Sequence, residues 1–306
     1  MILWLLSVAF AGDGPWTLDA GASNLYLGLS QYRYQTVKVG GGGTADLDGG
    51  LSSVSATGVA TVGLMPHAEL EAIVPVTRVR HLHPDGELCT GPNRPADWCD
   101  VTTSLANVQF AVKGRLLDEA ALRPFSLAVV GLVRSGEAYS EKRGRLTALG
   151  EGQTDIGAQV SIGRMASAMG AGWYRASLNV GYWYRLPLDT EQGKVPADDI
   201  VASSSMVVSP TRVLGIGPVA DFFYRLGGED LGAELDLTDP NGFAAVASSQ
   251  VKVGAQAALF AERGLTLTAT VVTTVYAKNN PSDTMGIAIG VGWYRPPRTE
   301  EGSPDM

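Results

Sequence analysis

The chain has 306 residues, a net charge of −8, only 18% charged residues and 38 glycines. Its length suits a single all-β unit, and the negative balance without a basic stripe excludes nucleic acid as a partner. Beyond the glycine run at 40–43 there is no low-complexity tract and no Gly-X-Y period, which excludes collagen-like and disordered chains. No stretch approaches the roughly 18 consecutive apolar residues of a membrane-spanning helix.

The opening MILWLLSVAFAGDGPW reads as a secretory signal. Residues 2–10 form an apolar core, and Ala9-Phe10-Ala11 fits a small-x-small cleavage site. Residues 1–11 are expected to be removed, leaving a mature chain that begins near Gly12. No Lys or Arg precedes the apolar run, and a buried first strand is the alternative.

Twelve segments of period-2 alternation follow, over 17–35, 51–64, 68–80, 101–116, 124–134, 154–164, 172–186, 211–226, 231–237, 250–261, 265–277 and 285–294. In the fourth, Ala106, Val108, Phe110 and Val112 oppose Asn107, Gln109, Lys113 and Arg115. In the eleventh, Leu265, Leu267, Ala269, Val271 and Val275 oppose four threonines. In the last, Met285, Ile287, Ile289, Val291 and Trp293 oppose Gly286, Ala288, Gly290 and Gly292. A soluble sandwich would turn the apolar face inward, whereas a membrane barrel turns it to lipid and keeps the polar face for the lumen.

The connections decide between the two. They alternate long (36–50, 81–100, 135–153, 187–210, 238–249, 278–284) and short (65–67, 117–123, 165–171, 227–230, 262–264). Outer-membrane barrels sort their loops this way, and a sandwich has no reason to. The expected fold is therefore all-β: an antiparallel up-and-down transmembrane β-barrel of about 12 strands. It would span 12–296 in the outer membrane of a Gram-negative bacterium, with 297–306 as a tail. Outer-membrane lipid and the barrel-assembly machinery are its expected partners. Tyr174, Tyr182, Tyr184, Phe222, Tyr224 and Trp293 near strand ends suit interfacial girdles. Pro75 and Pro218, which lack a ladder donor, are expected to mark bulges or kinks.

The inward faces bring charges of both signs into one lumen: Glu69, Glu71, Lys113, Arg115, Asp155, Arg175, Arg185, Asp221, Arg225, Glu234, Asp236 and Lys252. Enclosed charges must be paired or hydrated, so these either line a permeation path or fill the barrel with ion pairs. HLHPDGE (81–87) offers two imidazoles and two carboxylates, but in so loose a spacing that a solvated loop is the better reading and no metal is expected. Ser104 near His81 or His83 is the one candidate for a lipid-cleaving pair. Nothing in the sequence orients it, so no enzymatic activity and no cofactor are expected. Gly215-Ile216-Gly217 lies within a strand and opens no helix, which excludes a nucleotide loop.

Several segments carry a likeness: GLMPHAELEAIVPVTRV (63–79), PFSLAVVGLVRSG (124–136), GEGQTDIGAQVSIGRM (150–165) and the closing MGIAIGVGWYR. Together they resemble the family of outer-membrane transporters named after the meta-pathway of phenol degradation. The resemblance covers most of 50–296 and implies a barrel that passes small, often hydrophobic molecules. The chain departs from the pattern at its end, which continues past Trp293-Tyr294 as RPPRTEEGSPDM instead of closing on an aromatic residue. The leading expectation is a passive outer-membrane channel for small-molecule solutes. A sealed structural or adhesive barrel, a lipid-modifying barrel enzyme and a soluble exported sandwich are the alternatives.

Cys89 and Cys99, the only cysteines, bracket CTGPNRPADWC in the second external loop. A close pair in a polar loop of an exported chain is expected to be a disulfide, closing about ten residues and stabilising by about 2–3 kcal/mol. Thiol labelling of denatured, non-reduced protein should then find neither cysteine, and both after reduction.

Overall fold

The computed structural model describes residues 14–39, 43–82, 100–135, 154–167, 172–186, 197–228, 247–282 and 284–297. Among them lie thirteen strands: β1 (Ser23–Lys38), β2 (Thr44–Met65), β3 (Ala68–His81), β4 (Val101–Leu105), β5 (Gln109–Leu117), β6 (Ser126–Arg134), β7 (Asp155–Ser167), β8 (Trp173–Arg185), β9 (Asp199–Ser209), β10 (Leu214–Arg225), β11 (Ser249–Phe260), β12 (Leu265–Lys278) and β13 (Met285–Arg295). Each pairs antiparallel with its sequence neighbour, and β13 returns to β1, from Ser23 opposite Arg295 to Arg33 opposite Met285. β4 and β5 both pair with β3 and form one interrupted stave, so the sheet is a closed barrel of twelve staves.

The alternation has the sense of a barrel that is apolar outside. Leu25, Leu27 and Leu29 on β1, Ile156, Val160 and Ile162 on β7, and Ile287, Ile289 and Val291 on β13 are exposed on the outer surface. Thr268, Thr270, Ser161, Asn179 and Gln256 are buried within. The lumen also holds the largest enclosed rings, Tyr26, Tyr32 and Tyr34. The small residues of β13 make room for two of them. A Cβ on Gly290 would stand 1.8 Å from the Tyr26 hydroxyl, and one on Gly286 would stand 2.4 Å from Cε1 of Tyr32.

Pro75 marks a bulge, as expected. Val76 lies opposite Leu105 and Ile73 opposite Gln109, so three residues on one side face two on the other. The inward positions switch from even-numbered in β4 (Thr102) to odd-numbered in β5 (Ala111, Lys113). Ala106, expected outside, is consequently buried, and Val108 sits in the break between the strands. The β9–β10 pairing is likewise interrupted between Ile216 and Val219, around Pro218.

Four expectations change. Residues 17–22 do not extend the first strand; they form an irregular segment ahead of β1. β1 and β2 run on to Lys38 and from Thr44, which shrinks the expected loop 36–50 to 39–43. Within the expected loop 187–210 stands β9, whose serines 203–205 put hydroxyls on both faces and hide the alternation. The expected strand 231–237 lies outside the described residues, and β10 pairs directly with β11, so no stave stands between them. With these changes the long connections are 82–100, 135–154, 186–198 and 226–248, all at one end, which 39–43 and 279–284 share. The opposite end carries only short ones and the described chain ends.

At the β9–β10 interruption, Gly217 lies so close to β9 that a Cβ would be 1.9 Å from the Met206 carbonyl oxygen. Gly131 has nothing within 4 Å of that position. Gly217→Ala should therefore destabilise the barrel by about 1–3 kcal/mol, the range for forced overpacking, and Gly131→Ala should not. Denaturant midpoints of the refolded proteins measure the difference.

Candidate functional site

The lumen is built in three tiers. At the long-loop end, the inward residue closing one strand is an arginine and the inward residue opening the next is an aspartate. Arg134 ends β6, Asp155 opens β7, Arg185 ends β8, Asp199 opens β9 and Arg225 ends β10. Strand pairing sets them side by side as an alternating ladder. Arg134 donates from Nε to Asp155 at 2.9 Å and again from Nη2. Arg185 lies 3.5 Å from Asp155 and 3.6 Å from Asp199. Arg225 donates from Nε to Asp199 at 2.8 Å. All five are buried, and two aromatic rings extend the ladder: Arg134 lies 4.5 Å from the Trp183 ring centroid and Arg225 5.7 Å from that of Phe223. Charges so enclosed persist only in such mutual contact, because an isolated one would lose its hydration with nothing in return.

The middle tier is mixed. One apolar cluster joins Ala111, Val130, Leu132 and Trp183, with Val201 packed against it. A second joins Tyr32, Val219 and Val272. Between these lie neutral hydrogen-bonding groups: Tyr26 with Thr268 at 2.9 Å, Ser55 with Thr77 at 2.7 Å and Asn179 with Ser203 at 3.1 Å. Asp221 and Lys252 face each other across β10 and β11, and the Lys252 ammonium stands 5.1 Å from the Tyr32 ring centroid.

At the short-turn end, residues 14–22 enter the lumen as a strap. The Leu18 amide donates to Glu69 at 2.8 Å, and Glu69 also pairs with Lys113 at 2.8 Å. The Lys113 ammonium reaches the Trp16 carbonyl at 3.4 Å, and the Trp16 indole donates to Glu119 at 3.0 Å. The Arg175 guanidinium covers the Trp16 ring at 4.3 Å. Two glycines admit the strap. A Cβ on Gly163 would meet the Trp16 ring at 2.7 Å, and one on Gly63 would meet the Asp19 carbonyl oxygen at 2.0 Å.

The lumen residues anticipated from sequence thus fall into separate groups. Glu69, Lys113 and Arg175 meet at the strap. Asp155 and Arg225 belong to the ladder, where the expected Arg185 also stands. Asp221 and Lys252 face each other in the middle. Glu71 accepts from the Thr61 hydroxyl at 3.3 Å. Arg115 sits at the short-turn rim, bonded to His67 and 3.2 Å from Asp118. Glu234 and Asp236 lie outside the described residues, as do Cys89, Cys99, His83, Asp85 and Glu87. His81 points inward and is buried, with Nε2 2.6 Å from the Leu47 carbonyl. Ser104 lies opposite Thr77 and makes no hydrogen bond to His81 among the described residues.

Sequence reasoning missed Arg134, Asp199, Trp16 and Glu119. A signal for the first two was present: an arginine just before and an aspartate just after the connections 135–154 and 186–198. Nothing in the sequence marked Trp16, which stands beside an apparent leader.

No protein-family model and no curated protein sequence matches the chain. Among solved structures it is similar to the COG4313 outer membrane channel from Pseudomonas putida F1, at 11% identity and a TM-score of 0.63, over 94% of this chain and 99% of that one. It also resembles, with a TM-score of 0.45 and 10% identity, the β domain of the Bordetella autotransporter BrkA, over 90% and 100%. A third is the toluene transporter TodX of Pseudomonas putida, at 0.34 and 10%, over 94% and 90%. The likeness to the COG4313 channel agrees with the fold described above, a closed antiparallel barrel of the outer-membrane type. The likeness to the phenol-pathway transporters has no matching family model behind it.

Removing Asp199 would leave the three buried arginines of the ladder with one aspartate, Asp155. Asp199→Ala should destabilise the barrel by about 3–5 kcal/mol, as expected when one partner of a buried ion pair is deleted. A double-mutant cycle with Arg225→Met should recover part of that loss, and chemical unfolding in detergent measures both.

Proposed function

We propose that the protein is an outer-membrane channel that passes small, largely uncharged and often hydrophobic solutes through its lumen, with the long loops facing outward. The observation that carries this reading is the pairing inside the lumen. Each described ladder or strap charge lies against an opposite charge or an aromatic ring, three arginines against two aspartates in the ladder, and aromatic and aliphatic side chains line much of the height between the two. A path of that kind offers little net field to select an ion and several apolar faces to a neutral molecule. The fold shared with an outer membrane channel over nearly the whole of both chains supports a channel of this architecture. The strap favours a second reading, a sealed structural barrel, because it occupies the short-turn mouth.

Conductance and solute uptake separate the two. The protein should need detergent to remain monodisperse, migrate heat-modifiably on gels, and let small neutral aromatic solutes into liposomes. Trp16→Ala removes the ring that Arg175 and Glu119 hold across the mouth, and it should raise conductance several-fold while leaving heat-modifiability intact. If neither the wild type nor Trp16→Ala passes ions or solutes, the sealed barrel is the correct account.

A further inference from the structure

The outward face of the barrel is not uniform around its circumference. At the long-loop edge of the apolar belt, β8, β10 and β12 present Tyr182, Tyr184, Tyr224 and Tyr276. At the corresponding edge of β1–β3 stand three arginines. Arg33 follows Leu25, Leu27 and Leu29 on the same face of β1, and Arg78 and Arg80 follow Val74 and Val76 on β3. All three side chains are exposed, while their neighbours Thr77, Val79 and His81 point into the lumen.

Register gathers them into one patch. Arg33 is opposite Ser52, and Ser52 is opposite Arg80. One row further into the belt, Gln31 is opposite Val54 and Val54 is opposite Arg78. At the usual strand spacing this places Arg33 and Arg80 on the order of 10 Å apart, with Arg78 beside them. Asp46, also exposed, stands nearer the 39–43 turn, opposite Thr36. Among the described residues none of the three arginines makes an ion pair or side-chain hydrogen bond, whereas Arg134, Arg185 and Arg225 inside the lumen are all paired.

Three guanidinium groups at the boundary of an apolar belt meet headgroups, not hydrocarbon. A guanidinium fork matches two phosphate oxygens, and clustered cations at that depth attract anionic lipid. We propose that this face of β1–β3 is a binding site for the phosphate groups of an anionic outer-leaflet lipid, with Arg33, Arg78 and Arg80 as the anion ligands and Gln31 and Ser52 beside them as hydrogen-bonding groups for its polar head. The site rests on the outer-membrane reading above, because the arginines meet a headgroup only if the belt meets a bilayer.

The test uses the full-length barrel refolded in detergent, with bisphosphorylated lipid A as the probe and native mass spectrometry as the readout. The wild type should retain lipid A. R33Q/R78Q/R80Q should bind it on the order of a hundredfold more weakly, at about fivefold per arginine. R164Q, at the opposite end of the outer surface, should bind like the wild type. Dephosphorylated lipid A should not be retained by any of them, and inorganic phosphate at millimolar concentration should not displace the bound lipid. Equal retention by the triple variant, or equal retention of dephosphorylated lipid, overturns the proposal. If the triple variant does not migrate heat-modifiably, R78Q and R33Q singly should each show the fivefold loss, and an unchanged affinity in both overturns it. A barrel that enters neither phosphatidylcholine vesicles nor vesicles with added lipid A refutes the membrane reading itself, a result distinct from insertion without phosphate dependence.

Discussion

A strand edge left open against an apolar medium has amide and carbonyl groups with no partner, and each costs several kcal/mol there. Closure of the sheet is therefore the constraint from which the rest of this molecule follows. The seam of β1 with β13 supplies the pairing that an open sheet would lack, along an unbroken register from Ser23 to Arg33. Once the sheet closes, each strand has one face outside and one inside, and alternation along the chain becomes alternation between two environments. Bulky aliphatic residues take most of the outer face, and the charges of the ladder and the strap are enclosed.

Enclosure explains the order found among those charges. Residues that project into a narrow lumen lose much of their hydration, so each must meet a partner that strand register can deliver. Arginine on one stave and aspartate on the next satisfy this, because cross-strand neighbours face each other directly. The ladder at the long-loop end and the Glu69–Lys113 pair at the other are two instances of one solution. They differ in what they hold. The ladder ties staves to staves, whereas the pair at the short-turn end also ties down a segment of chain that belongs to no stave.

The barrel class, the outward faces of β7, β8, β12 and β13 and the enclosure of Glu69, Lys113, Asp155, Arg185, Arg225 and Lys252 were legible, because a period of two is directly visible when one face is bulky and the other is not. Where both faces carry the same residue type the pattern disappears. Ser203–Ser205 made β9 look like a loop, and its place in the count was taken by 231–237. Expected breakers misled in the other direction: Thr36 and the stretch 44–50 read as a loop but belong to β1 and β2. The strap was illegible for a different reason. Its fit depends on empty space above Gly63 and Gly163, a property of two distant strands that no local pattern of Trp16 records.

Because the strap runs directly into β1, and β1 is one half of the seam, two events that could have been independent share a segment of chain. The other half of the seam is β13, near the opposite terminus, so the last pairing to become available joins residues separated by almost the entire chain. Such nonlocal pairing is slow compared with hairpin formation. Staves β2 to β12 can pair as successive hairpins while the cylinder is still an open trough. The indole of Trp16 needs the walls contributed by Gly163 and Arg175, and these stand half-way round the circumference from β1. Seating the strap across such a trough would draw the edge carrying β1 toward the far wall, in the direction that brings the two free margins of the sheet together.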